Sequence, residues 1–323
     1  MTAGAKELYI AIDVGGTNLR FALVDGEGRI FAQTRTKTAI HYGWDAFCQR
    51  LEEGIDVLRH HAVGVGGEVA AIGVGVPGLI ANDGYVHRSV NLPPLDGRNL
   101  REAMECLTGL PAVVANDVNA FAWGERIFGA GRGVASFLMV TLGTGVGGGL
   151  VLNGRLWSGI DGVAGEFGHM TVEPEGLICP CGNRGCLEQY ASATAIARAG
   201  RRLWADERQG ADADSSFELV SAEMVAVAVD RGDSRAAALF AEAGRYLGIA
   251  AASVANLLNI ESIIIGGGVA NSFDLIRGTL EAEIRARAFP VPARRLTVLR
   301  AALGEDGGLL GSAALAMDCV RGA

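Results

Sequence analysis

Lysine is almost absent from this 323-residue chain. Lys6 and Lys37 are the only two lysines among 28 basic residues, and the other 26 are arginines. A phosphate loop of the type G-x-x-x-x-G-K-[ST] is therefore excluded, and so is the strand lysine of a V-A-I-K motif. A Schiff-base lysine would have to be one of these two residues. Any phosphate chemistry must rely on backbone amides and a metal ion.

Blocks of like charge and long apolar runs are missing as well. The formal net charge is −8, without a basic cluster, which argues against a nucleic-acid surface. No apolar run approaches the ~20 residues that span a bilayer, and the N-terminus has no apolar signal core. We therefore expect a cytoplasmic protein whose partners include neither a membrane nor nucleic acid.

The cysteines lack the spacing of a secreted disulfide framework. Three of the six fall between residues 179 and 186, and the others are Cys48, Cys106 and Cys319. We expect the three scattered cysteines to be ordinary buried thiols. The cluster indicates a metal site instead.

Glycine is in excess, with 47 residues, about twice its usual share. Three glycine turns, at 13–18, 143–149 and 266–268, each follow an apolar run that predicts a buried strand. Successive backbone amides in such a turn form an anion site that a phosphate can approach closely. The alternative is that the glycines only close hairpins. Three such turns in one chain favour phosphate binding.

Two of these turns belong to a weak internal repeat. Residues 9–26 align with residues 137–154 as strand, glycine turn and strand, with Gly15 opposite Gly143. A repeat of this kind predicts two similar lobes. Along the whole chain, predicted strands alternate with predicted helices, among them helices over 188–205 and 217–230, which favours an α/β protein with mixed sheets.

The second turn also contains G-x-G-x-x-G, at Gly143, Gly145 and Gly148. A dinucleotide-binding fold needs a helix to begin directly after that motif. Residues 150–152 instead predict a strand that enters a turn. We therefore reject a dinucleotide-binding fold.

Asn116 and Asp117 follow a predicted strand and begin a predicted helix. Two interpretations are open. Asn and Asp are favoured N-caps, so both residues can be structural. A carboxylate at the end of a strand, in a chain with phosphate turns, is also well placed to accept the proton of an attacking hydroxyl.

The strongest local signal is one histidine with three cysteines: His169, Cys179, Cys181 and Cys186. One imidazole and three thiolates are a ligand set for tetrahedral Zn²⁺. Four protein ligands leave no open position for water, so we expect a structural zinc ion. The alternative is a loop of packed, reduced cysteines.

These residues resemble the ROK family, which joins bacterial repressors, open reading frames and sugar kinases. The resemblance covers essentially the whole chain, with its motifs in family order. The motifs are D-V-G-G-T-N-L-R (13–20), G-V-P-G (75–78), A-N-D-V-N-A (115–120), T-L-G-T-G-V-G-G-G (141–149), A-G-E-F-G-H-M (164–170) and C-P-C-G-N-R-G-C-L-E-Q-Y-A-S (179–192). The family has a two-lobed, actin-like (ribonuclease H-like) ATPase fold with a cleft between its lobes.

The resemblance implies ATP and Mg²⁺ as cofactors, besides Zn²⁺, and assigns residues to them. Asp13 corresponds to a residue that helps to place Mg²⁺. The residues that correspond to the nucleotide site are Gly15, Gly16, Thr17, Asn18, Gly143, Thr144, Gly145, Gly267 and Gly268.

The resemblance also implies a sugar site. Asp117 corresponds to the catalytic base. The other residues that correspond to the sugar pocket are Gly78, Asn91, Asn116, Glu166, His169 and Glu188. His169 corresponds to a bifunctional residue, with one ring nitrogen on zinc and the other facing the sugar. Because Glu166 and Glu188 flank the zinc ligands, we expect zinc loss to impair sugar use more than nucleotide binding at distant phosphate turns.

The activity implied is ATP-dependent phosphorylation of a hexose, with glucose to glucose 6-phosphate as first choice. The segment G-V-P-G-L-I favours a glucokinase of the family over two alternatives. One alternative is a kinase of an N-acetylhexosamine, either N-acetylglucosamine or N-acetylmannosamine. The other is a non-catalytic sugar sensor, which would not need Asp117 or two intact phosphate turns.

The resemblance predicts a homodimer and two lobes. The small N-terminal lobe is expected to comprise residues 1–117 and 306–323, and the large C-terminal lobe residues 118–305, with the zinc motif. The last helix is expected to fold back onto the small lobe. Repressors of the family carry an N-terminal helix-turn-helix, for which a first strand beginning at Leu8 leaves no room.

Overall fold

The computed structural model describes residues 6–89, 91–206 and 220–322, which form twelve strands and ten helices besides short 3₁₀ turns. The strands are β1 (Lys6–Val14), β2 (Asn18–Asp25), β3 (Ile30–Lys37), β4 (Gly67–Val76), β5 (Leu79–Ile80), β6 (Val86–Arg88), β7 (Ala112–Asn116), β8 (Phe137–Leu142), β9 (Val146–Leu152), β10 (Arg155–Trp157), β11 (Ser262–Gly266) and β12 (Thr297–Arg300). The helices are α1 (Trp44–Gly64), α2 (Leu100–Thr108), α3 (Asp117–Phe128), α4 (Glu188–Ala191), α5 (Ala193–Asp206), α6 (Ala222–Asp230), α7 (Ser234–Leu258), α8 (Phe273–Arg287), α9 (Pro290–Arg295) and α10 (Gly307–Arg321).

Contacts divide the chain into two units. The first contains described residues within 1–135, 149–165 and 302–323, and the second those within 136–148 and 166–301. β9 begins in the second unit and ends in the first. The lobe boundaries expected from the sequence, after residue 117 and before residue 306, remain a prediction.

The sheet of the first unit has the strand order β3-β2-β1-β4-β7. β1 is antiparallel to β2 and parallel to β4, which is parallel to β7. The register places Asp13 opposite Arg20, and Arg20 opposite Arg35. Because parallel strands end at the same edge of a sheet, that edge receives the residues that follow β1, β4 and β7. These are the first glycine turn, Gly78 and Asp117.

Side chains alternate between the two faces of the sheet, and residues 8–12 of the central strand β1 are all buried, so both faces are covered there. On one face Ile10 and Ile12 belong to a core with α1 residues such as Phe47. On the other face Tyr9 belongs to a core with α10 residues such as Ala313. α1 and α10 therefore cover the sheet from opposite sides.

Glycines allow α10 to pack directly on the backbone of its neighbours. A Cβ atom on Gly73 of β4 would lie 1.8 Å from the carbonyl oxygen of Ser312. A Cβ atom on Gly311 would lie equally close, at 1.8 Å, to the carbonyl oxygen of Ala120 in α3. The expected return of the last helix to the N-terminal part of the chain is therefore confirmed.

The sheet of the second unit includes three parallel strands, with β11 between β8 and β12. Every residue of β11 is buried. α7 packs so closely on α8 that a Cβ atom on Gly244 would lie 2.5 Å from the carbonyl oxygen of Ile276. The internal repeat is confirmed in register: β1 ends at Val14 and β8 at Leu142, while β2 begins at Asn18 and β9 at Val146.

Three local expectations need correction. The second glycine turn is shorter than 143–149, because β9 already begins at Val146. The helix expected over 188–205 is broken at Ser192, whose backbone is extended and whose hydroxyl accepts a hydrogen bond from the Ala195 amide. The helix expected over 217–230 begins at Ala222, and residues 217–219 lie outside the described part of the chain.

The scattered cysteines are less buried than expected. Cys48 is half-buried, and Cys106 and Cys319 are exposed. For Cys106, sequence reasoning failed because this residue lies on α2, a helix that we did not predict.

No helix within the described ranges is both long and apolar enough to cross a membrane.

Candidate functional site

The first glycine turn joins β1 to β2 and is held by its carbonyl groups. The hydroxyl of buried Thr38 donates to the Gly15 carbonyl over 2.6 Å, and the Thr38 amide donates to the Thr17 carbonyl over 3.1 Å. The Gly15 amide donates to the Asn18 carbonyl. The amides of Gly16 and Thr17 donate to no residue in the described ranges. These two backbone amides can therefore donate hydrogen bonds to a bound anion.

Asp13 occupies the next-to-last position of β1, directly before this turn. Its carboxylate is partly buried, and a Cβ atom on Gly308, in the first turn of α10, would lie 3.4 Å from its Cγ. Burial raises the pKa of Asp13, and the Arg20 guanidinium, 3.7 Å away, opposes that increase. A partly buried carboxylate beside a phosphate turn is a suitable ligand for Mg²⁺.

Asn116 and Asp117 lie where β7 meets α3. The Asn116 side-chain oxygen accepts hydrogen bonds from the Val118 and Asn119 amides, so Asn116 is the N-cap of α3. Its amide nitrogen donates to the Gly78 carbonyl over 3.1 Å. The structural interpretation of Asn116 is therefore confirmed. These contacts also connect Gly78 to the start of the helix that carries Asp117.

Gly78 could not be replaced by a residue with a side chain. Its φ is +131°, and a Cβ atom would lie 2.3 Å from the Arg88 carbonyl oxygen. Asn91, another candidate for the sugar pocket, is exposed and lies beside the first turn: a Cβ atom on Gly16 would lie 3.7 Å from the Asn91 Cβ. The first unit therefore brings candidate sugar and phosphate residues together.

The second glycine turn, Gly143 to Gly145, is held in the same way as the first. The hydroxyl of Thr194 donates to the Thr144 carbonyl over 2.7 Å, and the Ala193 amide donates to the Gly143 carbonyl over 2.8 Å. Gly267 lies against the residue before this turn, since a Cβ atom on it would be 2.6 Å from the Leu142 carbonyl oxygen. The φ of Gly267 is +85°, which favours glycine.

Glu188 contacts the second turn directly. Its Oε2 atom accepts a hydrogen bond from the Val146 amide over 3.0 Å. A Cβ atom on Gly145 would lie 2.3 Å from the same oxygen. Glu188 lies only two residues after Cys186, so the expectation that this glycine turn is distant from the candidate zinc ligands is wrong. Because the second glycine turn is short and the chain breaks at Ser192, residues 188–194 lie against this turn.

The four candidate zinc ligands converge. The Sγ atoms of Cys181 and Cys186 are 3.7 Å apart, and His169 Nδ1 lies 3.8 Å from Cys179 Sγ. All four ligand atoms lie within 4.8 Å of one another. Zn–S bonds of about 2.3 Å in a tetrahedral site require sulfur atoms about 3.8 Å apart. The residues present fit a zinc ion.

Glycine shapes the loop that carries these ligands. Gly185 has a φ of +72°, and a Cβ atom on it would lie 1.7 Å from the Glu173 carbonyl oxygen. The Cys179 amide donates to the Asn183 carbonyl, which closes the turn around Cys181. The backbone of the loop thus places the thiols without a disulfide.

His169 also faces a carboxylate. Its Nε2 atom lies 3.8 Å from Glu166 Oε2, on the other side of the ring from Cys179. Burial raises the pKa of Glu166, His169 opposes the increase, and the Glu188 carboxylate adds to it. The ring is therefore oriented as a bifunctional histidine requires, with one nitrogen toward the thiols and one toward Glu166.

Comparison with known proteins identifies the family. The model of the ROK family matches residues 9–319. The chain belongs to the ROK family. It has the mixed α/β, actin-like ATPase fold of the sugar kinase superfamily that the sequence predicted.

Individual ROK relatives are similar over nearly their full lengths. A glucokinase from Halalkalibacterium halodurans is 37% identical over 310 residues, 94% of this chain and 93% of that protein. An N-acetylmannosamine kinase from Salmonella typhimurium is 32% identical over 308 residues, 95% and 97% of the two chains. A solved ROK family glucokinase from Streptomyces griseus, in complex with glucose and AMPPNP, is 34% identical, with a TM-score of 0.79 and coverage of 96% and 99%.

The ROK motif residues divide between the two units. The first unit contains Asp13, Gly15, Gly16, Thr17, Asn18, Gly78, Asn91, Asn116 and Asp117. The second contains Gly143, Thr144, Gly145, Glu166, His169, Cys179, Cys181, Cys186, Glu188, Gly267 and Gly268.

Sequence reasoning missed three residues that hold these motifs in place, namely Arg20, Thr38 and Thr194. Arg20 ends the motif D-V-G-G-T-N-L-R, so its proximity to Asp13 on a paired strand could have been inferred. Thr38 and Thr194 follow their turns by 20 residues or more and carry no local signal.

Proposed function

We propose that this protein transfers the γ-phosphoryl group of ATP to glucose, forming glucose 6-phosphate. The observation that carries the proposal is the pair of matching glycine turns. In each turn a backbone carbonyl group accepts a hydrogen bond from a threonine hydroxyl. Phosphoryl transfer to an alcohol requires fixed phosphate positions, a metal ion and a base. Similarity to glucokinases along nearly the full length of the chain supports glucose as the acceptor.

Asp117 is the general base in this proposal. It is the first residue of α3, and its Oδ1 atom accepts a hydrogen bond from the Val118 amide over 3.0 Å. That contact holds the carboxylate in one orientation at the edge of the sheet. Accepting the proton of the sugar hydroxyl there makes the oxygen a better nucleophile toward the phosphoryl group.

Asn91, Gly78 and Asn116 hold sugar hydroxyls from the same unit as Asp117. Glu166, His169 and Glu188 are proposed sugar-binding residues as well. Hydroxyl-specific hydrogen bonds discriminate strongly, because a sugar that lacks the hydroxyl leaves a polar group unpaired.

Two metal ions belong to the proposal. Asp13 would help to hold Mg²⁺, which supplies positive charge to the transferring phosphate. His169, Cys179, Cys181 and Cys186 would hold Zn²⁺, whose coordination sphere they fill, so that its role is structural. The backbone amides of Gly16, Thr17, Thr144 and Gly145 bind phosphate oxygens. Gly267 and Gly268 border the adenosine, and Asn18 completes the first turn.

By resemblance to the family, we further propose that the protein works in the cytoplasm as a homodimer and that it binds neither nucleic acid nor membrane. A second candidate function is phosphorylation of an N-acetylhexosamine, which the N-acetylmannosamine kinase relative at 32% identity favours. A non-catalytic sugar sensor is a weaker candidate, because it would need neither Asp117 nor two intact glycine turns, and this chain has both.

A panel of sugars separates these functions. We expect kcat/KM from coupled ADP release to be highest for glucose among glucose, mannose, N-acetylglucosamine and N-acetylmannosamine. A preference for either acetylated sugar would replace glucose by the second candidate. Sugar binding in calorimetry without ADP release from any sugar would indicate a sensor.

A further inference from the structure

Arg20 connects Asp13 to the turn that precedes the last helix. Its Nη1 atom donates to the Glu305 carbonyl over 2.7 Å, and its Nη2 atom donates to Asp306 Oδ1 over 2.9 Å. Nη1 also lies 3.7 Å from Asp13 Oδ2. One guanidinium thus contacts both Asp13 and a turn whose residue Glu305 lies 285 residues after Arg20 in the chain.

The turn that Arg20 contacts is itself held in place. The Leu303 amide, just before the turn, donates to Oε1 of fully buried Glu125 over 2.9 Å. Gln33 donates a second hydrogen bond to Asp306 Oδ1 over 3.2 Å. The partners of Arg20 are therefore anchored to α3 and to β3, so Arg20 is bound to a fixed point and has little freedom to follow the Asp13 side chain.

Asp13 also lies close to the start of α10. A Cβ atom on Gly308 would be 3.4 Å from Asp13 Cγ and 3.5 Å from each carboxylate oxygen. The first turn of a helix has backbone amides without partners in the helix, and it favours a negative charge. The positive guanidinium of Arg20 attracts the same carboxylate. At 3.7 Å the contact is an ion pair and not a hydrogen bond, so the carboxylate oxygens keep their lone pairs for another ligand.

We propose that Arg20 is a positioning residue that sets the orientation of the Asp13 carboxylate toward the metal of the nucleotide. This inference rests on the proposed function, in which Asp13 helps to hold Mg²⁺. Residues that orient a metal-binding group change metal affinity or activity by about 10- to 100-fold when they are replaced. Arg20 itself contacts neither metal nor substrate in this proposal.

The test compares Arg20→Met with two other variants. Arg20→Lys keeps the positive charge but loses the planar guanidinium, which contacts Glu305, Asp306 and Asp13 at once. Arg35→Met removes an exposed arginine from the position directly opposite Arg20 on β3. The measurements are kcat, the KM for glucose, the Mg²⁺ concentration at half-maximal rate, and Mn²⁺ binding by electron paramagnetic resonance with a non-hydrolysable ATP analogue.

For Arg20→Met we expect about 10-fold weaker metal binding in both measurements and a kcat lowered by at least about 10-fold. The KM for glucose should stay within about twofold, because sugar-binding residues are untouched. Arg20→Lys should recover part of the metal affinity, and Arg35→Met should match the wild type. A purely structural role would instead change the melting temperature and leave metal affinity of the folded fraction unchanged.

Two variants keep the proposal testable. Asp306→Asn, which changes the partly buried partner of Arg20, should weaken Mn²⁺ binding in the same direction if Arg20→Met does not fold. Asp13→Asn tests the proposed function itself. Loss of activity in Asp13→Asn together with wild-type metal binding in Arg20→Met and Asp306→Asn would overturn the role of Arg20 alone. Normal metal-dependent turnover in Asp13→Asn would overturn both proposals.

Discussion

The Val146 amide donates a hydrogen bond to Glu188 Oε2 over 3.0 Å. Glu188 is a proposed sugar ligand two residues after the proposed zinc ligand Cys186, and Val146 directly follows the second glycine turn. This one carboxylate, a proposed sugar ligand, thus connects the loop of candidate zinc ligands to the second glycine turn. Ala193 and Thr194 continue this connection, because both donate to carbonyl groups of the turn.

This connection changes what loss of the metal should do. Cys181→Ala removes one thiolate of the cluster, and we expect stoichiometric zinc to be lost from the purified protein. Because residues 188–194 hold the second turn, the KM for ATP should rise together with the KM for glucose. Zinc content by elemental analysis and the two KM values check this prediction.

Cys106→Ala is the matched control, since Cys106 is exposed and lies outside the cluster. It should retain zinc and both KM values. Wild-type protein that contains no metal and keeps full activity after exhaustive chelation would contradict the structural role of zinc.

Asp117→Asn tests the general base. Asparagine keeps nearly the same shape and can still accept the hydrogen bond from the Val118 amide, but it is not basic. We expect kcat to fall by at least about 100-fold while glucose binding, measured by calorimetry, is retained. Asp274→Asn replaces an aspartate at the start of another helix, α8, and should have wild-type kcat. Near-normal turnover in folded Asp117→Asn would rule out this base.

Two glycine-to-alanine variants test the packing of α10. Gly311→Ala places a Cβ atom 1.8 Å from the backbone oxygen of Ala120, which cannot move without shifting α3. We expect a loss of about 1–3 kcal/mol in stability. Gly278→Ala, on the exposed side of α8, meets no atom within 4 Å, so it should stabilise the protein by about 0.5–1 kcal/mol. Melting temperatures that shift in the same direction for both would contradict this packing.

Asp25 should make stability depend on pH. Burial alone would raise the pKa of Asp25, but hydrogen bonds from the Arg29 amide and side chain, the Lys6 ammonium and the Glu27 amide lower it well below its usual range. A depressed folded-state pKa stabilises the protein above the unfolded pKa of about 4, and this contribution is lost as pH falls toward the folded pKa.

We therefore expect Asp25→Asn to lower the free energy of unfolding by about 2 kcal/mol at pH 7. The difference from the wild type should shrink below about pH 4, where the unfolded wild-type carboxyl becomes protonated. Urea unfolding at several pH values measures it. Asp56→Asn, on the exposed face of α1, should show no comparable difference. A difference that stays constant down to pH 2 would show that ionisation of Asp25 is not the cause.

The sequence by itself determined the features that depend on neighbours along the chain. Strand, glycine turn and strand recur at 9–26 and 137–154 because alternating apolar residues and glycines are local signals, and both copies have that structure. The convergence of the four candidate zinc ligands was predictable because all four lie within 18 residues of one another in the sequence. α2 was missed although Leu100, Ala103, Met104 and Leu107 recur at helical spacing after the N-cap Asn99, so a local signal was present and was overlooked.

Only the tertiary structure decided which distant residues hold these motifs. The contact of Arg20 with Glu305 depends on where α10 begins over the sheet, and glycines that carry no chemical signal allow that approach. Likewise, Thr194 contacts Thr144 only because Ser192 interrupts the helix and turns the chain toward the second turn. Such contacts result from packing and register between elements far apart in sequence, so no local spacing predicts them.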